Sequence, residues 1–593
     1  MPSTKRGPFS PGLAPTYNYA PWLTDIDDAA FRFSNDVFNV KDRDYGAVGN
    51  DSTNDTTAIQ AAIDAAVAVK GTVFLPPGRY RCAGLTASGT FGLVGSGIGR
   101  SVLVQNANSD ILLAQGSQGS AVTLTANAAK GDLSLSFNTS GFAAGDYIVL
   151  YSSTAWTLSA TGGQFGEILR LKAITSGSAA ELYSAVDSGP YNTAATASVR
   201  KLNFLDGLSI ASLSFDNSAP GTRTSPAVNL RWIKNVYTYF AAMNIDGPGL
   251  ALNSCLGGRA NVFAYDLTDD TANSRFGYGI SVINCSRDID CYVEADNVRH
   301  AFTTDTTGSG SLGVPRHITV SGVARNCRSA SWDTHADGEH ITFHNVVVDG
   351  AWGTVSENAN GIQVRAPNVT IVDPDIAGTK THGIRTRYDS TASSGMNGIN
   401  CTVLGGKIHD LVGTPSAIYN SGAAGFRVAS PMVIDNVAGT VITNDQDNAS
   451  VSKQMFVHGD TTIANSGTSM GGTAQTFIDR LPGGGTRNIA HSGTGQVDLD
   501  FRSSFWRITE TSASNYTVSV LSGLTADSFR NMEFVVEVFN NSGGAMGTVT
   551  WDTGKFTQAG WAAPANGKRK TGLFRWNGLS SRWFLVGTWS ADL

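Results

Sequence analysis

A short polar segment near the middle of the chain carries the residue types best suited to acid and base chemistry. Within Trp332-Asp-Thr-His-Ala-Asp, the side chains of Asp333 and His335 stand two positions apart. Successive side chains of a β-strand point to opposite faces, so these two would share one face while Thr334 turns to the other. A carboxylate beside an imidazole fixes the tautomer of the ring and raises its basicity. The spacing therefore predicts an acid–base pair on one face of a strand.

Basic side chains follow with the same spacing in the next two strand-like segments. The alternation in Gly361-Ile-Gln-Val-Arg-Ala and Gly383-Ile-Arg-Thr-Arg-Tyr turns one amide and three guanidinium groups outward. Stacked strands lie about 4.8 Å apart, so these groups would join the acid–base pair in one patch. Guanidinium groups bind carboxylates and phosphates. The candidate catalytic residues are Asp333, His335, Arg365 and His300. The candidate substrate-binding residues are Arg299, Trp332, Gln363, Arg385 and Arg387.

This patch suits the chemistry of acidic sugars. β-Elimination or epimerisation of a uronic acid requires that the sugar carboxylate be neutralised before a side-chain base can remove the neighbouring proton. We therefore expect lyase-type or histidine-assisted cleavage of an anionic glycan. In this hypothesis His335 is the acid or base, Asp333 orients it, and Arg365 with Arg385 binds the anion. The plainer interpretation is a solvated polar face without a catalytic purpose.

Other chemistries stay open as alternatives. Cleavage of a phosphodiester polymer is one, since His and Arg also serve phosphoryl chemistry. The carboxylates Asp337 and Glu339 are second choices for the site, whereas His340 and His344 are expected to be structural or exposed. Glycoside hydrolysis by paired carboxylates would draw on Asp266, Asp269, Asp270, Glu294, Asp296 and Asp305.

Two interleaved series of strand-like segments would position these residues. They recur at intervals of roughly twenty to thirty residues, as expected of stacked repeat units. Two such series predict parallel sheets wound around one core. The first series begins at Asn261, Ile289, Ile318, Ile341, Val369 and Cys401. The second series, which carries the polar patch, begins at Tyr278, His300, Trp332, Gly361, Gly383 and Ala417.

The segment from Phe38 to Cys82 predicts how this solenoid begins. After an N-cap at Asn54 or Asp55, apolar residues recur with the three- and four-residue spacing of an amphipathic helix. Gly71 ends the helix, and Thr-Val-Phe-Leu followed by Pro-Pro-Gly then forms a short strand and a turn. A single amphipathic helix beside short strands indicates a cap over the end of the solenoid.

The order DYGAVGNDSTNDTTAIQAAID followed by GTVFLPPGRY resembles the start of pectate-lyase-like right-handed β-helix proteins, especially phage tailspikes and related depolymerases. The Asp333-Thr-His element is similar to the Asp-Pro-His element of alginate-type epimerases, with Thr334 in place of proline. The resemblance implies a homotrimer on the virion that binds and depolymerises a bacterial surface polysaccharide, such as a capsule, O-antigen or wall glycan. It also implies that the N-terminus contacts phage tail or baseplate proteins. A non-catalytic receptor-binding adhesin and a structural virion scaffold are the alternatives.

The expected fold is all-β: a right-handed parallel β-helix with an N-terminal capping helix, a small β insertion and a C-terminal antiparallel β-sandwich. We expect the last domain to serve trimerisation or glycan binding. The predicted boundaries are 1–37 for a virion-attachment arm, 38–120 for the cap and first rungs, 121–202 for the insertion, 203–475 for the main β-helix, and 476–593 for the sandwich.

Composition agrees with this interpretation. The chain has 593 residues, of which 67 are glycine and only 15% are charged, as expected of an all-β fold with many turns. A net charge of −6 gives no reason to expect binding to nucleic acid. Neither a signal peptide nor a membrane span is predicted, so we expect a virion tail protein that acts at the host cell surface. Six cysteines without a CxxC pattern predict reduced thiols. No cofactor or catalytic metal is expected, with structural Ca²⁺ as an alternative.

Overall fold

The computed structural model describes most of the chain from residue 36 to residue 593. The predicted attachment arm, 1–37, lies outside the described residues except for its last two positions. The segments left undescribed are 1–35, 157–162, 308–310, 353–358, 388–399, 414, 422–424, 440, 445–454, 459–461, 465–469, 472–475, 480–485, 492–494, 500–504, 521–532 and 578–581.

The chain winds into a parallel β-helix built from two main sheets, and no antiparallel pair interrupts either of them within the described residues. The short sheet has 12 strands: Leu85–Ala87, Leu112–Gln115, Val228–Arg231, Leu250–Asn253, Tyr278–Ile283, His300–Asp305, Trp332–Asp333, Ile362–Val364, His382–Thr386, Ser416–Asn420, Ile442–Asn444 and Met470–Gly471. The long sheet has 22 strands: Val37–Asn39, Asn50–Asn54, Thr72–Leu75, Gly78–Cys82, Gly92–Gly95, Ser101–Gln105, Leu205–Asp206, Ser209–Asn217, Ile233–Met243, Leu256–Tyr265, Arg287–Asp296, Arg316–Cys327, Glu339–Ala351, Thr370–Val372, Asp375–Thr379, Thr402–Leu404, Lys407–His409, Phe426–Val428, Val433–Asp435, Met455–His458, Thr462–Ala464 and Thr476–Asp479.

Both predicted series of segments are strands of this β-helix. The first series lies in the long sheet and the second in the short sheet. Up to Glu339–Ala351 the long strands continue around a corner of the helix, whereas the next rung is divided between Thr370–Val372 and Asp375–Thr379. Asp373 there has a φ of 45° and Pro374 has no N–H to donate, so the backbone cannot continue the ladder through this corner. This rung therefore has two separate strands in the long sheet, whereas it has one strand, Ile362–Val364, in the short sheet.

The interior of the β-helix is a continuous apolar core. Fully buried side chains from both sheets fill it from Val40 to Ile442. One row follows the register of the short sheet, in which each member pairs with the next. This row consists of Ile280, Phe302, Trp332, Ile362, Ile384 and Ile418. Because the core takes one set of alternating side chains, the other set must face outward.

The predicted capping helix is α1, Thr56–Val69, and it buries Ile59, Ala62, Ile63 and Ala66. Asp55 occupies the N-cap position, but its carboxylate accepts hydrogen bonds from the backbone of Val48 and Gly49 at 2.7 and 3.0 Å. The helix ends at Lys70, which has a φ of 58°. Gly71 follows where a Cβ would lie 2.6 Å from a backbone oxygen. Glycine is required there by close packing.

The predicted β insertion is a separate antiparallel sheet of seven strands. It has its own apolar core, which also includes Val314 and Ala336 of the β-helix. The insertion therefore packs directly on loops of the main solenoid. Its strands are Ser117–Gln118, Val122–Thr123, Ser134–Ser136, Tyr147–Ala155, Gln164–Ser176, Ala179–Leu182 and Ser198–Asn203, with a 3₁₀ turn at Thr193–Ala195. A smaller hairpin, Asp269–Asp270 and Arg275–Phe276, encloses a 3₁₀ turn at Thr271–Asn273.

The C-terminal region differs from the antiparallel sandwich predicted for it. Its two sheets begin with parallel pairs. Among the described strands of this region, antiparallel pairing joins only Glu533–Asn540 to Arg569–Asn577 and the latter to Arg582–Leu585. Alternating apolar and polar residues occur in both kinds of sheet, so the pattern could not distinguish them. The other strands are Thr486–His491, Gly495–Leu499, Phe505–Glu510, Tyr516–Val520, Val549–Trp551 and Phe556–Thr557.

All six cysteines are buried and none forms a disulfide, as the sequence predicted. Within the described residues, no helix has the length and apolar character needed to span a membrane.

Candidate functional site

The outer face of the short sheet brings the predicted polar residues together. Asp333 pairs in register with Gln363, Gln363 with Arg385, and Arg385 with Tyr419. These four side chains form one column along the helix axis. The alternation predicted from the sequence is observed, since Ile362, Val364 and Ile384 lie in the core.

Asp333 is the centre of the site and is completely buried. Its Oδ1 accepts a hydrogen bond from Gln363 Nε2 at 2.9 Å, and its Oδ2 lies 2.6 Å from Arg365 Nη2. Two imidazole nitrogens also face Oδ2, His335 Nε2 at 3.3 Å and His300 Nε2 at 3.7 Å. Burial opposes ionisation of this carboxyl, but Arg365 and the two histidines hold its pKa well below the usual value.

His335 lies between two carboxylates. Its Nδ1 is 3.5 Å from Asp305 Oδ1, and its side chain is 19% exposed. Burial and the Arg365 cation lower the pKa of the ring, but Asp305 and Asp333 outweigh them and raise it to about 9. Burial also opposes ionisation of Asp305. The neighbouring His335 and Arg365 outweigh this effect, so the pKa of the Asp305 carboxyl is lowered. At neutral pH His335 is therefore an imidazolium, which can give a proton but cannot accept one.

Arg365 is anchored by the backbone of the preceding rung. Its Nε donates to the carbonyl oxygen of Thr334 at 3.1 Å, and its side chain is 14% exposed. The Thr334 hydroxyl faces inward and accepts hydrogen bonds from the backbone N–H groups of Arg365 and Ala366. Threonine at this position thus ties two rungs together, which proline could not do.

His300 is buried beneath the exposed residues of the site. The ring is 3% exposed, its Nδ1 contacts the backbone oxygen of Ala330, and it stacks on Tyr278 with 5.3 Å between ring centres. Burial lowers the pKa of His300 to about 3, so the ring is neutral. A carbonyl only accepts, so Nδ1 carries the proton. Burial also raises the pKa of Tyr278, whose hydroxyl stays protonated.

Two members of the cluster were not assigned to it from the sequence. Asp305 was considered only for hydrolysis, and Tyr278 was not considered. Asp305 ends its strand three residues after Phe302, which pairs with Trp332. His335 stands three residues after Trp332 on the next rung. Residue positions counted along each rung, which placed the other side chains in one patch, could therefore also have placed Asp305 beside His335.

The remaining predicted arginines flank this cluster. Arg299 forms an ion pair with Asp269 of the small hairpin, and its guanidinium lies 5.5 Å from the Phe276 ring centre. Arg385 lies over the ring of Tyr419. Arg387 follows on the same rung, with its backbone N–H donating to the Val364 oxygen.

The assignment of Trp332 to a substrate-binding surface is wrong. Its side chain is fully buried in the core, with its ring centre 6.4 Å from that of Phe343. Its Nε1 lies 3.4 Å from the Val347 oxygen. The physical reason is the alternation itself, because Trp332 precedes the outward Asp333 and must therefore turn inward.

Most carboxylates considered for hydrolysis lie outside this cluster and have other partners. Asp270 pairs with Arg275, and Glu294 pairs with Arg325. Asp266 and Asp296 accept hydrogen bonds from asparagines of the next rungs. The second choice Glu339 binds the buried Arg316, and the other, Asp337, is itself buried.

The other two histidines considered have surroundings that fit their expected roles. His340 stacks on His317, with 5.2 Å between the ring centres, and its Nε2 lies 3.4 Å from Glu339 Oε1. His344 is exposed on the long sheet. Among the described residues, no three His, Cys, Asp or Glu side chains form a group that could hold a metal.

The β insertion reaches this site through one indole. Trp156 Nε1 donates a hydrogen bond of 3.0 Å to the backbone oxygen of Ala336, the residue after His335. The Arg316 guanidinium lies over the same indole and donates to the Gly166 oxygen at 2.9 Å. The loop that carries His335 is thus tied to the insertion by this indole, and Arg316 of the β-helix contacts the indole in turn.

Comparison with known proteins agrees with this architecture. Residues 37–143 match the family model described as rhamnogalacturonase A/epimerase, pectate lyase-like. A stretch of 75 residues is 48% identical to mannuronan C5-epimerase AlgE3 of Azotobacter vinelandii, covering 11% of this chain and 4% of that enzyme. The chain therefore matches only a small part of this relative's length.

Two solved tailspikes share the fold over most of the chain. The gp54 tailspike of Acinetobacter baumannii bacteriophage AP22, solved with A. baumannii capsular saccharide, has a TM-score of 0.54 at 13% identity and covers 87% of this chain and 82% of its own. Tailspike gp49 of Pseudomonas phage LKA1 has a TM-score of 0.50 at 15% identity and covers 84% and 86%. The observed rungs and these matches show that the chain has a right-handed β-helix with the fold of phage tailspikes, and that its residues 37–143 are similar to the pectate-lyase-like family.

Proposed function

We propose that the protein is a phage tailspike that binds and cleaves an anionic polysaccharide of the bacterial surface by β-elimination. The observation that carries this proposal is the cluster around Asp333, in which a buried carboxylate holds two partly exposed cations, His335 and Arg365. Because His335 and Arg365 are partly exposed, their N–H groups can donate to an acidic substrate. The relative that acts on mannuronan, a uronic-acid polymer, supports the same substrate class.

The reaction divides into three roles. Arg365 neutralises the sugar carboxylate, which makes the proton on the adjacent carbon acidic. We assign removal of that proton to Asp305, because its carboxylate is ionised and 29% exposed. As the C–H electrons form the new C=C bond, the glycosidic C–O bond at the next carbon breaks. The leaving oxygen takes a proton from His335, whereas the buried, neutral His300 takes no part in the proton transfers.

The charge states in the cluster favour elimination over hydrolysis. A hydrolase that uses two carboxylates needs one of them protonated, through a raised pKa, to serve as the acid. Here the pKa values of Asp305 and Asp333 are both lowered. Among the described residues of the cluster, only His335 combines a raised pKa with a partly exposed ring. It is therefore the group that can serve as the acid.

The test is incubation of the full chain with a panel of acidic polymers, including polymannuronate and bacterial capsule, while absorbance of unsaturated uronate is followed. His335→Ala should lower the rate at least about a hundredfold, since it removes the general acid, and should lower the melting temperature by a few degrees, since it also removes one of the cations that face Asp333. His344→Ala is the matched control, because that imidazole is exposed on the long sheet.

The outcomes separate the rival functions. New absorbance that depends on His335 supports elimination. New reducing ends without absorbance would assign a hydrolase. Tight binding with no cleavage of any polymer would leave a receptor-binding adhesin of the same fold.

A further inference from the structure

A polar groove lies on the long sheet, whereas the candidate site lies on the short sheet. Its volume is about 330 Å³, at the lower end of the range of about 300 to 1,000 Å³ that is usual for small-molecule sites. The groove is lined by polar side chains of three successive rungs: His317 and Thr319, His340 and Thr342, and Asn368 and Thr370. We call this surface the histidine groove.

The two histidines stand at a corner of the β-helix where the backbone is left-handed. Their φ angles are 53° and 55°, and the next two rungs place Asn368 and Asn400 at the same corner, each with a φ of 56°. The asparagines tie their rungs together, since Asn400 Nδ2 donates to Asn368 Oδ1 at 3.1 Å. His317 and His340 instead stack, with 5.2 Å between ring centres and 2° between planes. Their side chains are 40% and 41% exposed, so both rings are accessible to a ligand.

Three threonine hydroxyls accompany the rings along the groove. Thr319 pairs in register with Thr342, and Thr342 pairs with Thr370, so the hydroxyls recur about 4.8 Å apart. Within the described part of the chain, neither these hydroxyls nor the Nδ1 atoms of the two imidazoles have a hydrogen-bond partner. A hydroxyl can both donate and accept. The groove therefore offers a row of polar groups whose hydrogen bonds are left for water or a ligand.

The lining of the histidine groove contains no acidic, lysine or arginine side chain. On the other side of the rings, His317 Nε2 lies 3.6 Å from Asp187 Oδ2, and His340 Nε2 lies 3.4 Å from Glu339 Oε1. These carboxylates favour the Nε2 proton, which leaves Nδ1 as the ring nitrogen for a ligand. Each carboxylate also binds an arginine of the β-helix, which offsets its charge. An uncharged ligand with many hydroxyl groups therefore suits this surface better than an ion.

We propose that the histidine groove binds uncharged sugar units of the surface polysaccharide. Sugar hydroxyls both donate and accept, so they can bond to the imidazole nitrogens and to the row of threonine hydroxyls. The groove spans three rungs, about 10 Å along the axis, and therefore holds a short segment of the polymer. This inference rests on the polysaccharide-binding part of the proposed function and not on the cleavage step. It adds that the polysaccharide contains neutral as well as acidic sugars.

The test measures binding to the full chain by saturation-transfer difference NMR titrations. The probes are neutral tetramers of glucose, galactose, mannose and N-acetylglucosamine, with a mannuronate tetramer as the acidic comparison. His340→Asn should weaken binding of a neutral probe at least about tenfold, since it removes one ring of the groove. The variant should fold normally, because asparagine has the same left-handed backbone at this corner in the next two rungs.

Thr342→Val tests the row of hydroxyls. It removes the central hydroxyl and keeps the branched shape of the side chain, so binding of the neutral probe should weaken about fivefold. Thr550→Val is the matched control, because Thr550 is exposed on the C-terminal strand Val549–Trp551. Its affinities should equal those of the unmodified chain.

The outcomes separate the groove from the proposed cleavage. An unmodified chain that binds no neutral probe, or equal binding by His340→Asn, would overturn the proposal. It would also be overturned if His340→Asn lost only the mannuronate tetramer, because the groove would then bind an anion. A chain that binds a neutral probe through His340 and Thr342 but cleaves no polymer would support the groove and contradict the elimination.

Discussion

At the scale of single residues, Asp333 is the group around which the other side chains of the site are arranged. It is completely buried and ionised, and it faces one guanidinium, one amide and two imidazoles. A buried carboxylate is stable only with such compensation. The arrangement in turn favours the protonated form of His335, because Asp305 faces its other nitrogen. The cluster therefore keeps a proton on the partly exposed ring of His335.

The first prediction is that activity persists through neutral pH and falls as the pH rises through about 9. The pKa of His335 is raised to about 9, so a ring that serves as the acid is competent below this value and inactive above it. A rate profile for uronate elimination between pH 5 and pH 11 measures it. If His335 were the base, activity would instead increase across the same range, and the assigned role would be wrong.

At the scale of elements, the short sheet positions the site and the β insertion fixes one loop of it. Residue periodicity predicted the sheet because each rung repeats the same alternation, as Ile362 and Ile384 show by facing the core. It could not predict that Trp156 binds Ala336, since these residues are 180 positions apart and share no pattern. Strand alternation also left open whether the C-terminal strands pair in parallel. Long-range packing, not local sequence, decides both.

The second prediction concerns this contact between the insertion and the loop. Trp156→Phe keeps the apolar packing but leaves the buried oxygen of Ala336 without its indole donor. The loop then holds His335 less firmly between Asp305 and Asp333. We expect kcat to fall about tenfold with little change in KM, and the alkaline limit of activity to move to lower pH.

The matched control is Trp589→Phe, which removes an indole hydrogen bond of 3.1 Å to Gln558 in the C-terminal region. It should lower thermal stability slightly and leave both kcat and the pH limit unchanged. Identical pH profiles for Trp156→Phe and the unmodified chain would show that Trp156 has only a structural role.

At the scale of the whole molecule, the β-helix is a solenoid whose open ends must be covered. Helix α1 covers the first rungs by burying Ile59 and Ile63. Among the residues whose side chains are described, a second apolar cluster begins at Val497 and includes Trp506 and Trp583, apart from the core of the β-helix. The described side chains of the C-terminal region therefore form an apolar cluster of their own.

The third prediction is that this C-terminal unit joins three copies of the chain. A separate apolar cluster can form an interface without rearranging the rungs that carry the candidate site, and the resemblance described in the sequence analysis implies a homotrimer. Light scattering at micromolar concentration should give three times the 62.1 kDa of one chain. A truncation before Thr486, checked for β structure by circular dichroism, should give the mass of a single chain. A trimeric truncation would place the interface on the β-helix, and a monomeric full chain would contradict the prediction altogether.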